Sequence, residues 1–154
     1  MNRTFHLLPA VAPYSAPFGL LIELLSAALE TTAAELEADL HYQQQCQPVQ
    51  AWLAYENNQL VGCKLGYERK PGHYYSWLGG VHPDFRGRGI AAELMGQQHA
   101  WCAAQGYRRV RTQTYNRWRA MLLLNLRHGF DIIGTVQSSR GLNIVLEKEL
   151  TVGV

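Results

Sequence analysis

The sequence predicts a domain of the α+β or mixed α/β class, because three kinds of pattern follow one another along its 154 residues. Two amphipathic helices come first and a run of strand-like segments follows. A glycine-rich loop then leads from a strand into a helix and a further strand. Helices followed by a mostly antiparallel set of strands with one crossover are typical of this class. We therefore expect residues 1–154 to form a single domain.

Apolar residues at helical spacing indicate the first two helices. Within residues 17–29 they recur along one face, at Phe18, Leu21, Ile22, Leu25 and Leu29. Thr32 followed by Glu35 is a capping-box pattern, which predicts that a second helix begins there. The residues around 5–8 fit a short strand that precedes both helices.

Strand patterns occupy the middle of the chain. Residues 49–55 and 60–67 are strand-like runs, and residues 56–59 between them form a hairpin-type turn. A second turn at residues 70–72 leads into the aromatic-rich run 74–81, whose composition favours a strand. The simplest interpretation is three consecutive antiparallel strands.

The last third of the chain predicts a helix, a strand, a helix and a closing hairpin, over residues 90–105, 108–115, 118–128, 130–136 and 142–150. Gly106 and Gly129 follow the two helices, at the position where glycine commonly ends a helix. The order strand, loop, helix, strand over residues 74–115 supplies the single crossover.

Composition excludes several functional classes. With 47% hydrophobic and 17% charged residues, the chain is expected to fold, and a net charge of +2 is too small to require a polyanionic partner. Three cysteines without C-x-x-C spacing predict neither a disulfide framework nor a zinc knuckle, so we expect no metal. No apolar run reaches the roughly 18 residues of a membrane span, and the N-terminus lacks a signal-peptide pattern. We expect a cytoplasmic protein without a membrane partner.

The most informative stretch is the loop at residues 81–91, which reads Val-His-Pro-Asp-Phe-Arg-Gly-Arg-Gly-Ile-Ala. It precedes a helix whose first N–H groups have no partner within the helix and whose dipole favours an anion. Gly87 and Gly89 let phosphate oxygens approach the backbone, and Arg86 and Arg88 add positive charge. The loop therefore predicts a site for a pyrophosphate group.

The same stretch resembles the acyl-coenzyme A loop of the GNAT superfamily of N-acetyltransferases, whose pattern is Gln/Arg-x-x-Gly-x-Gly/Ala after the approach V-x-P-x-[YF]-R. Arg86, Gly89 and Ala91 occupy the pattern positions, and the resemblance extends in order over residues 49–150. It implies a mostly antiparallel sheet flanked by helices, with a splayed strand pair at the coenzyme site. It also implies direct transfer of an acetyl group, in a ternary complex, from acetyl-coenzyme A to a primary amine of a small molecule, peptide or protein.

The resemblance assigns roles in coenzyme binding. Backbone N–H groups of the loop are expected to hold the pyrophosphate, and pantetheine is expected where the end of the preceding strand splays from its neighbour. The residues concerned are Gly79, Gly80, Val81, Arg86, Gly87, Arg88, Gly89, Ile90, Ala91 and Asn116. The N–H of Val81 is the expected donor to the thioester carbonyl oxygen. Asn116 either contacts pantetheine or caps the last helix.

The sequence departs from the family at the acid and at the base. Members often carry, on the central strand, a glutamate that acts as the general base. At those positions this chain has residues 74–77, Tyr-Tyr-Ser-Trp. Many carry a tyrosine that reprotonates the thiolate, where this chain has Asn125. Glu68 and His73 are the nearest substitutes for the base, and Tyr115 is an alternative to Asn125 on the thiolate side.

Several alternatives stay open at this point. Tyr75 and Trp77 are expected to line the acceptor pocket if they share the face of the strand bulge. A non-catalytic sensor of acyl-coenzyme A would suit the missing acid and base. The arginines within residues 108–119 could form a nucleic-acid surface, and residues 87–92 fit the dinucleotide pattern G-x-G-x-x-A literally. Association into a homodimer is also open.

Overall fold

The computed structural model describes residues 2–11 and 16–151. In chain order the elements are β1 (Arg3–Leu8), α1 (Ala16–Leu29), α2 (Ala33–Cys46), β2 (Gln50–Glu56), β3 (Gln59–Lys70), β4 (His73–Val81), α3 (Ile90–Ala104), β5 (Arg109–Tyr115), α4 (Arg119–Arg127), β6 (Asp131–Ser138) and β7 (Gly141–Glu149). Every helix and strand expected from the sequence is confirmed, with its ends moved by a few residues at most. A short 3₁₀ turn at Pro83–Phe85 was not expected.

The strands form one seven-stranded sheet in the order β1-β2-β3-β4-β5-β7-β6. The pairs β1–β2, β2–β3, β5–β7 and β6–β7 are antiparallel, and β4 pairs with β5 in parallel. The expected mostly antiparallel sheet is therefore confirmed. The dinucleotide-binding fold is wrong, because it requires a mainly parallel sheet.

The parallel pairing between β4 and β5 is short. It joins three residue pairs, from His73 with Arg109 to Tyr75 with Arg111. At the next position the Thr112 hydroxyl donates to the Ser76 carbonyl at 2.9 Å. The pairing with β4 thus ends at Arg111, although β5 continues to Tyr115.

Local signals explain where several elements begin and end. The hairpin between β2 and β3 turns through Asn57 and Asn58, whose φ values of 50° and 66° fit the type I′ turn that joins twisted strands. The N–H of Glu35 donates to the Thr32 hydroxyl at 3.2 Å, which is the capping bond expected at the start of α2. Gly106 and Gly129 have φ values of +88° and +91° and follow α3 and α4.

Contacts divide the chain into two compact units, Met1–Tyr67 with Leu78–Gln98, and Glu68–Trp77 with His99–Val154. In the first unit α1 and α2 bury leucines, among them Leu21, Leu25, Leu36 and Leu40. In the second unit the ring of Tyr74 lies 5.7 Å from that of Trp101 and 5.2 Å from that of Tyr107. The single domain expected for residues 1–154 stays a prediction.

No single helix in the described ranges is long and apolar enough to cross a bilayer. The segments Pro17–Leu29 and Ala33–Cys46 reach that length and composition together, but they are bent by 117° where they meet.

Candidate active site

The loop after β4 is shaped by short-range hydrogen bonds of its own. The His82 N–H donates to the Val61 carbonyl of β3 at 2.7 Å, and the His82 imidazole Nδ1 accepts the N–H of Asp84 at 3.1 Å. The Arg86 side chain turns back, so that its Nε donates to the Val81 carbonyl at 3.2 Å. The loop therefore has a defined path from the end of β4 to the start of α3.

Gly87 and Gly89 are required by the backbone conformation of this loop. Their φ values are +76° and +79°, in the left-handed region that side chains with a Cβ disfavour. A Cβ built on either glycine would meet no atom within 4 Å, so the space beside them is open. The first backbone bond of α3 runs from the Glu93 N–H to the Gly89 carbonyl, at 3.1 Å. The N–H groups just before Glu93 therefore belong to the helix end that attracts anions.

Helices α3 and α1 each pack closely against a glycine of the sheet. A Cβ on Gly62 of β3 would lie 2.8 Å from the Ile90 Cγ2, and a Cβ on Gly80 of β4 would lie 2.6 Å from the Ala28 Cβ of α1. Real side chains do not approach so closely, so both strands need glycine here. Sequence reasoning identified Gly80 but missed Gly62, which a glycine inside a strand pattern could have indicated.

A neighbouring hydrogen bond fixes the direction of the Val81 N–H. Successive residues of a strand direct their N–H groups to opposite sides. Because the His82 N–H bonds to β3, the Val81 N–H points away from β3. The role of this N–H as an oxyanion donor stays a prediction.

Both arginines of the loop have partners within the first unit, which sequence reasoning did not foresee. The Arg88 guanidinium lies 4.9 Å from the centre of the Phe85 ring, and its Nη1 is 3.3 Å from Glu56 Oε2. The Glu56 side chain is only 1% exposed and also accepts two hydrogen bonds from Arg3, at 2.9 and 2.6 Å. We call Arg3, Glu56 and Arg88 the loop brace.

A buried lysine lies beside the end of β4. Lys64 of β3 is 9% exposed, and a Cβ on Gly79 would lie 3.7 Å from its Cγ. No carboxylate in the described part of the chain forms an ion pair with it. Burial lowers the pKa of Lys64 to about 8, and burial raises the pKa of the neighbouring Cys63 to about 12. Sequence reasoning missed Lys64, since a single lysine in a strand pattern gives no signal.

The cysteines differ in accessibility. Cys46 at the end of α2 is exposed, whereas Cys63 and Cys102 are buried, and all three are free thiols. Burial also raises the pKa of Cys102 far above its ordinary value.

In the second unit, Asn125 is nearly enclosed. Its side chain is 2% exposed, and its Oδ1 accepts no hydrogen bond from the described residues. The hydroxyl of Thr114 on β5 is likewise buried without a partner there. Because buried polar atoms in proteins are usually hydrogen-bonded, each of these two oxygens can accept a hydrogen bond from a group that enters this part of the second unit.

Tyr115 and Asn116 follow one another at the end of β5. The Tyr115 ring contacts the Trp118 ring edge-to-face at 4.8 Å, and the Arg117 guanidinium lies 4.2 Å from the Tyr115 ring centre. The cap residue of α4 is Trp118, without a side-chain capping bond. The alternative that Asn116 caps this helix is therefore wrong.

Glu68 and His73 lie in strands, because β3 and β4 both extend further towards their connecting turn than the sequence patterns predict. Glu68 is half-buried on β3 and accepts a hydrogen bond from the Tyr107 hydroxyl. Burial chiefly, and then Glu68, raise the pKa of Tyr107 to about 12. His73 begins β4, with its Nδ1 3.3 Å from the Arg69 guanidinium. Burial and the charges of Lys70 and Arg69 lower the pKa of His73. It lines a shallow cavity with Arg108, Arg109, Glu149 and Leu150.

Tyr75 and Trp77 share one side of β4, because they are two residues apart on a strand. Both are half-buried, whereas Tyr74 and Ser76 on the other side are buried. Tyr75 is in register with Arg111, whose guanidinium bonds to Glu147 at 2.9 Å. This side of the second unit therefore carries aromatic rings beside an ion pair.

Two of the arginines within residues 108–119, Arg109 and Arg111, form ion pairs with carboxylates of β7. Arg109 donates to Glu147 and Glu149 at 2.9 and 3.2 Å, and Arg111 pairs with the same Glu147. Burial raises the pKa of Glu147, but the hydrogen bonds from Arg109 and Arg111 outweigh it, so the pKa lies below its ordinary value. Much of this positive charge is therefore neutralised locally.

The structure distributes the expected site residues between the two units. Residues 79–91 lie in the first unit, whereas Glu68, His73, Tyr75, Trp77, Tyr115, Asn116 and Asn125 lie in the second. Among residues 2–11 and 16–151, no group of three or more His, Cys, Asp or Glu side chains could hold a metal ion.

Comparisons with known proteins agree with this geometry. Residues 20–130 match the model of the Acetyltransferase (GNAT) family. No curated protein matches the chain. Solved structures of similar fold include a GNAT family acetyltransferase from Elizabethkingia anophelis with acetyl-CoA bound, with 20% identity, a TM-score of 0.71, and 95% of this chain and 98% of that chain covered.

Two further structures show the same fold. The ribosomal-protein-S18-alanine N-acetyltransferase from Escherichia coli is 11% identical with a TM-score of 0.81, covering 99% of this chain and 97% of that chain. The IAA acetyltransferase from Bacillus cereus is 16% identical with a TM-score of 0.75, covering 97% of this chain and 100% of that chain. At these identities the likeness is one of fold alone.

Proposed function

Because the chain belongs to the GNAT acetyltransferase family, we propose that it transfers an acetyl group from acetyl-coenzyme A to a primary amine. The observation that carries this proposal is the loop before α3, where two glycines at positive φ lead into the helix N-terminus. The acceptor amine belongs to a small molecule, a peptide or a protein, and it attacks the thioester directly in a ternary complex. We place this activity in the cytoplasm.

The residues present fit the coenzyme. N–H groups of residues 86–91 would hold the pyrophosphate, since the space beside Gly87 and Gly89 is open and the helix dipole favours an anion. The Val81 N–H would donate to the thioester carbonyl oxygen, which supports negative charge as it develops there. Gly79 and Gly80 leave the strand end without side chains, and Asn116 would contact pantetheine. Acetyl-coenzyme A would supply an activated acetyl group.

The proton of the attacking amine needs an acceptor. With an ordinary amine pKa of about 10.4, only about one amine in a few thousand is neutral at pH 7. We favour His73 over Glu68 as the base, because a lowered pKa keeps His73 neutral at pH 7, whereas Glu68 already accepts a hydrogen bond from Tyr107. The base then receives the proton directly or through water.

On the leaving-group side, Asn125 is the favoured residue. Its amide cannot supply a proton as an acid does, but its buried Oδ1 lacks a partner among the described residues and can accept a hydrogen bond from the coenzyme. Tyr115 is the second candidate, although its ring is already packed between Trp118 and Arg117. A thiol with a pKa near 8.5 is a fair leaving group without an acid.

Tyr75 and Trp77 are proposed to contact the acceptor. They share one side of β4, with the pair Arg111–Glu147 alongside Tyr75. Aromatic rings beside a charged pair suit an amine that carries an apolar group. Replacing Trp77 by alanine is expected to raise KM for the acceptor and to leave KM for acetyl-coenzyme A unchanged.

A thiol-release assay with acetyl-coenzyme A across a library of amines tests the proposal. Gly89→Glu is expected to abolish coenzyme binding, because it places a carboxylate and a strained φ in the loop. Gly89→Ala imposes the strain without the charge and should have an intermediate effect. Gly96→Glu is the matched control, since Gly96 is an exposed glycine of α3 with open space around it and should tolerate the change.

The outcomes separate the enzyme from the sensor. Thiol release that depends on an amine supports acetyl transfer. Acetyl-coenzyme A that binds with no turnover on any amine would instead support the sensor. If wild-type protein binds no acetyl-coenzyme A in calorimetry, both functions are refuted.

A further inference from the structure

We propose that Glu56 and Arg3 are positioning residues that fix the coenzyme loop by acting through Arg88. The inference rests on the proposed function, because the loop's ligand is taken to be acetyl-coenzyme A. Neither residue belongs to the loop. Arg3 lies on β1 and Glu56 ends β2, and both strands belong to the first unit.

The loop is intrinsically flexible at the point where it must bind an anion. Arg88 stands between Gly87 and Gly89, and glycine loses more conformational freedom on ordering than any other residue. A loop that is ordered only when the coenzyme arrives would lose affinity to that entropy. Contacts that hold Arg88 in the free protein therefore improve binding.

Within the loop brace, Glu56 and Arg3 contact Arg88 at two places. Glu56 Oε2 lies 3.3 Å from Nη1 of the Arg88 side chain, and Nη1 of Arg3 donates to the Arg88 backbone carbonyl at 3.2 Å. Arg3 is itself bound to Glu56 through Nε and Nη2, at 2.9 and 2.6 Å. Side chain and backbone of Arg88 are thus tied to one buried carboxylate.

The pairing of β1 with β2 brings Arg3 and Glu56 together. Arg3 of β1 is the register partner of Glu56 at the end of β2, so the two side chains meet without any loop rearrangement. The Asn57 N–H also donates to the Asn2 carbonyl at 3.0 Å, which extends the pairing past Glu56. The brace is therefore built into the sheet and independent of bound ligand.

The brace is held by ion pairs. Arg3 and Arg88 share the buried carboxylate of Glu56, and Arg3 Nη1 also lies 3.8 Å from the half-exposed carboxylate of Glu93 on α3. Without Glu56 the two guanidinium groups would lose their common partner, and the contacts to both parts of Arg88 would be lost. With Glu56 in place, the positively charged Arg88 side chain is held beside the helix end that attracts an anion.

Calorimetric titration with acetyl-coenzyme A tests the brace. Glu56→Gln is expected to raise Kd about tenfold, the effect of losing one charged hydrogen bond. Glu149→Gln is the matched control, because Glu149 is a carboxylate paired with an arginine outside the loop, and its Kd should equal that of wild type. Far-UV circular dichroism and thermal unfolding check that each variant is folded at the titration temperature.

Two measurements separate positioning from a merely structural role. In a double-mutant cycle, Glu56→Gln should have a clearly smaller effect in the Arg88→Gln background than in wild type, because one of its two contacts passes through the Arg88 side chain. The donor S-acetylpantetheine lacks the pyrophosphate, so the Glu56→Gln variant should transfer its acetyl group at the same rate as wild type does. An unchanged Kd for acetyl-coenzyme A, additive effects, or equal impairment with both donors would each overturn the inference. If wild type itself fails to bind acetyl-coenzyme A, it is the proposed function that fails.

Discussion

Replacing Lys64 by methionine is expected to stabilise the folded protein. The lysine is 9% exposed and has no ion-pair partner among the described residues, and burial lowers its pKa from 10.5 to about 8. Holding the charged form in that site at pH 7 therefore costs about 3 kcal/mol relative to the unfolded chain. Methionine has a similar length and volume and needs no proton, so it removes this cost without leaving a cavity.

The sign of the pH dependence follows from the lowered pKa. The unfolded chain binds the lysine proton more tightly than the folded protein, so the cost is complete below about pH 8. It fades as the pH rises from 8 towards the unfolded value of about 10.4. The advantage of Lys64→Met should shrink over the same window.

Thermal unfolding followed by circular dichroism between pH 6.5 and about 10.5 measures the effect. At pH 7 the variant should melt about 6–12 °C above wild type, and the gap should narrow steadily above pH 8. Lys70→Met, at the exposed end of the same strand, is the control and should show no such gap. The Lys64 charge lowers the pKa of the buried Cys63 thiol, so Lys64→Met moves that pKa further above about 12, outside the measured range. Ionisation of Cys63 in the unfolded chain then affects wild type and variant alike.

A gap that stays constant with pH would show that the ammonium group of Lys64 is not what destabilises the fold. No gap at all would show that this group reaches water in the folded protein. Either result would refute the reasoning from burial.

Three further substitutions test other parts of the structure. Gly80→Ala should destabilise the fold by about 1–3 kcal/mol in urea titrations, because its Cβ would lie 2.6 Å from that of Ala28; Gly96→Ala, with open space around it, should not. Glu147→Gln should lower Tm at pH 7, because Arg111 loses its paired carboxylate and Arg109 keeps only the exposed Glu149; since the pKa of Glu147 is lowered, the difference from wild type should vanish as the pH falls well below 4.5. His73→Gln should remove the acidic limb of the kcat/KM profile, and that limb should lie below pH 6.5 in wild type because the pKa of His73 is lowered; an unchanged profile would exclude His73 as the base.

The sequence predicted the elements well because their signals are local. Helical spacing marked α1, the Thr32–Glu35 pattern marked the start of α2, and glycines marked the ends of α3 and α4. Each of these signals acts within a few residues, so no tertiary information was needed. The coenzyme loop was recognisable for the same reason, since its pattern is continuous in the chain.

Contacts between distant residues could not be predicted in this way. Arg3 and Glu56 are 53 positions apart, and Arg88 is a further 32 positions along. A sequence reveals that arginines are present but not which carboxylates bind them, as Arg109 and Arg111 also show. The roles of Asn125, His73 and the aromatic residues depend on such contacts, and they stay proposals.

The unequal cysteines have a practical consequence for the thiol-release assay. A thiol reagent should react quickly with Cys46 alone, so the folded protein contributes one equivalent of background signal. Cys63 and Cys102 become reactive only when the unit that holds each of them opens, and their slow labelling reports that opening. The reagent that follows turnover thus also measures the rate of local unfolding, through Cys63 in the first compact unit and Cys102 in the second.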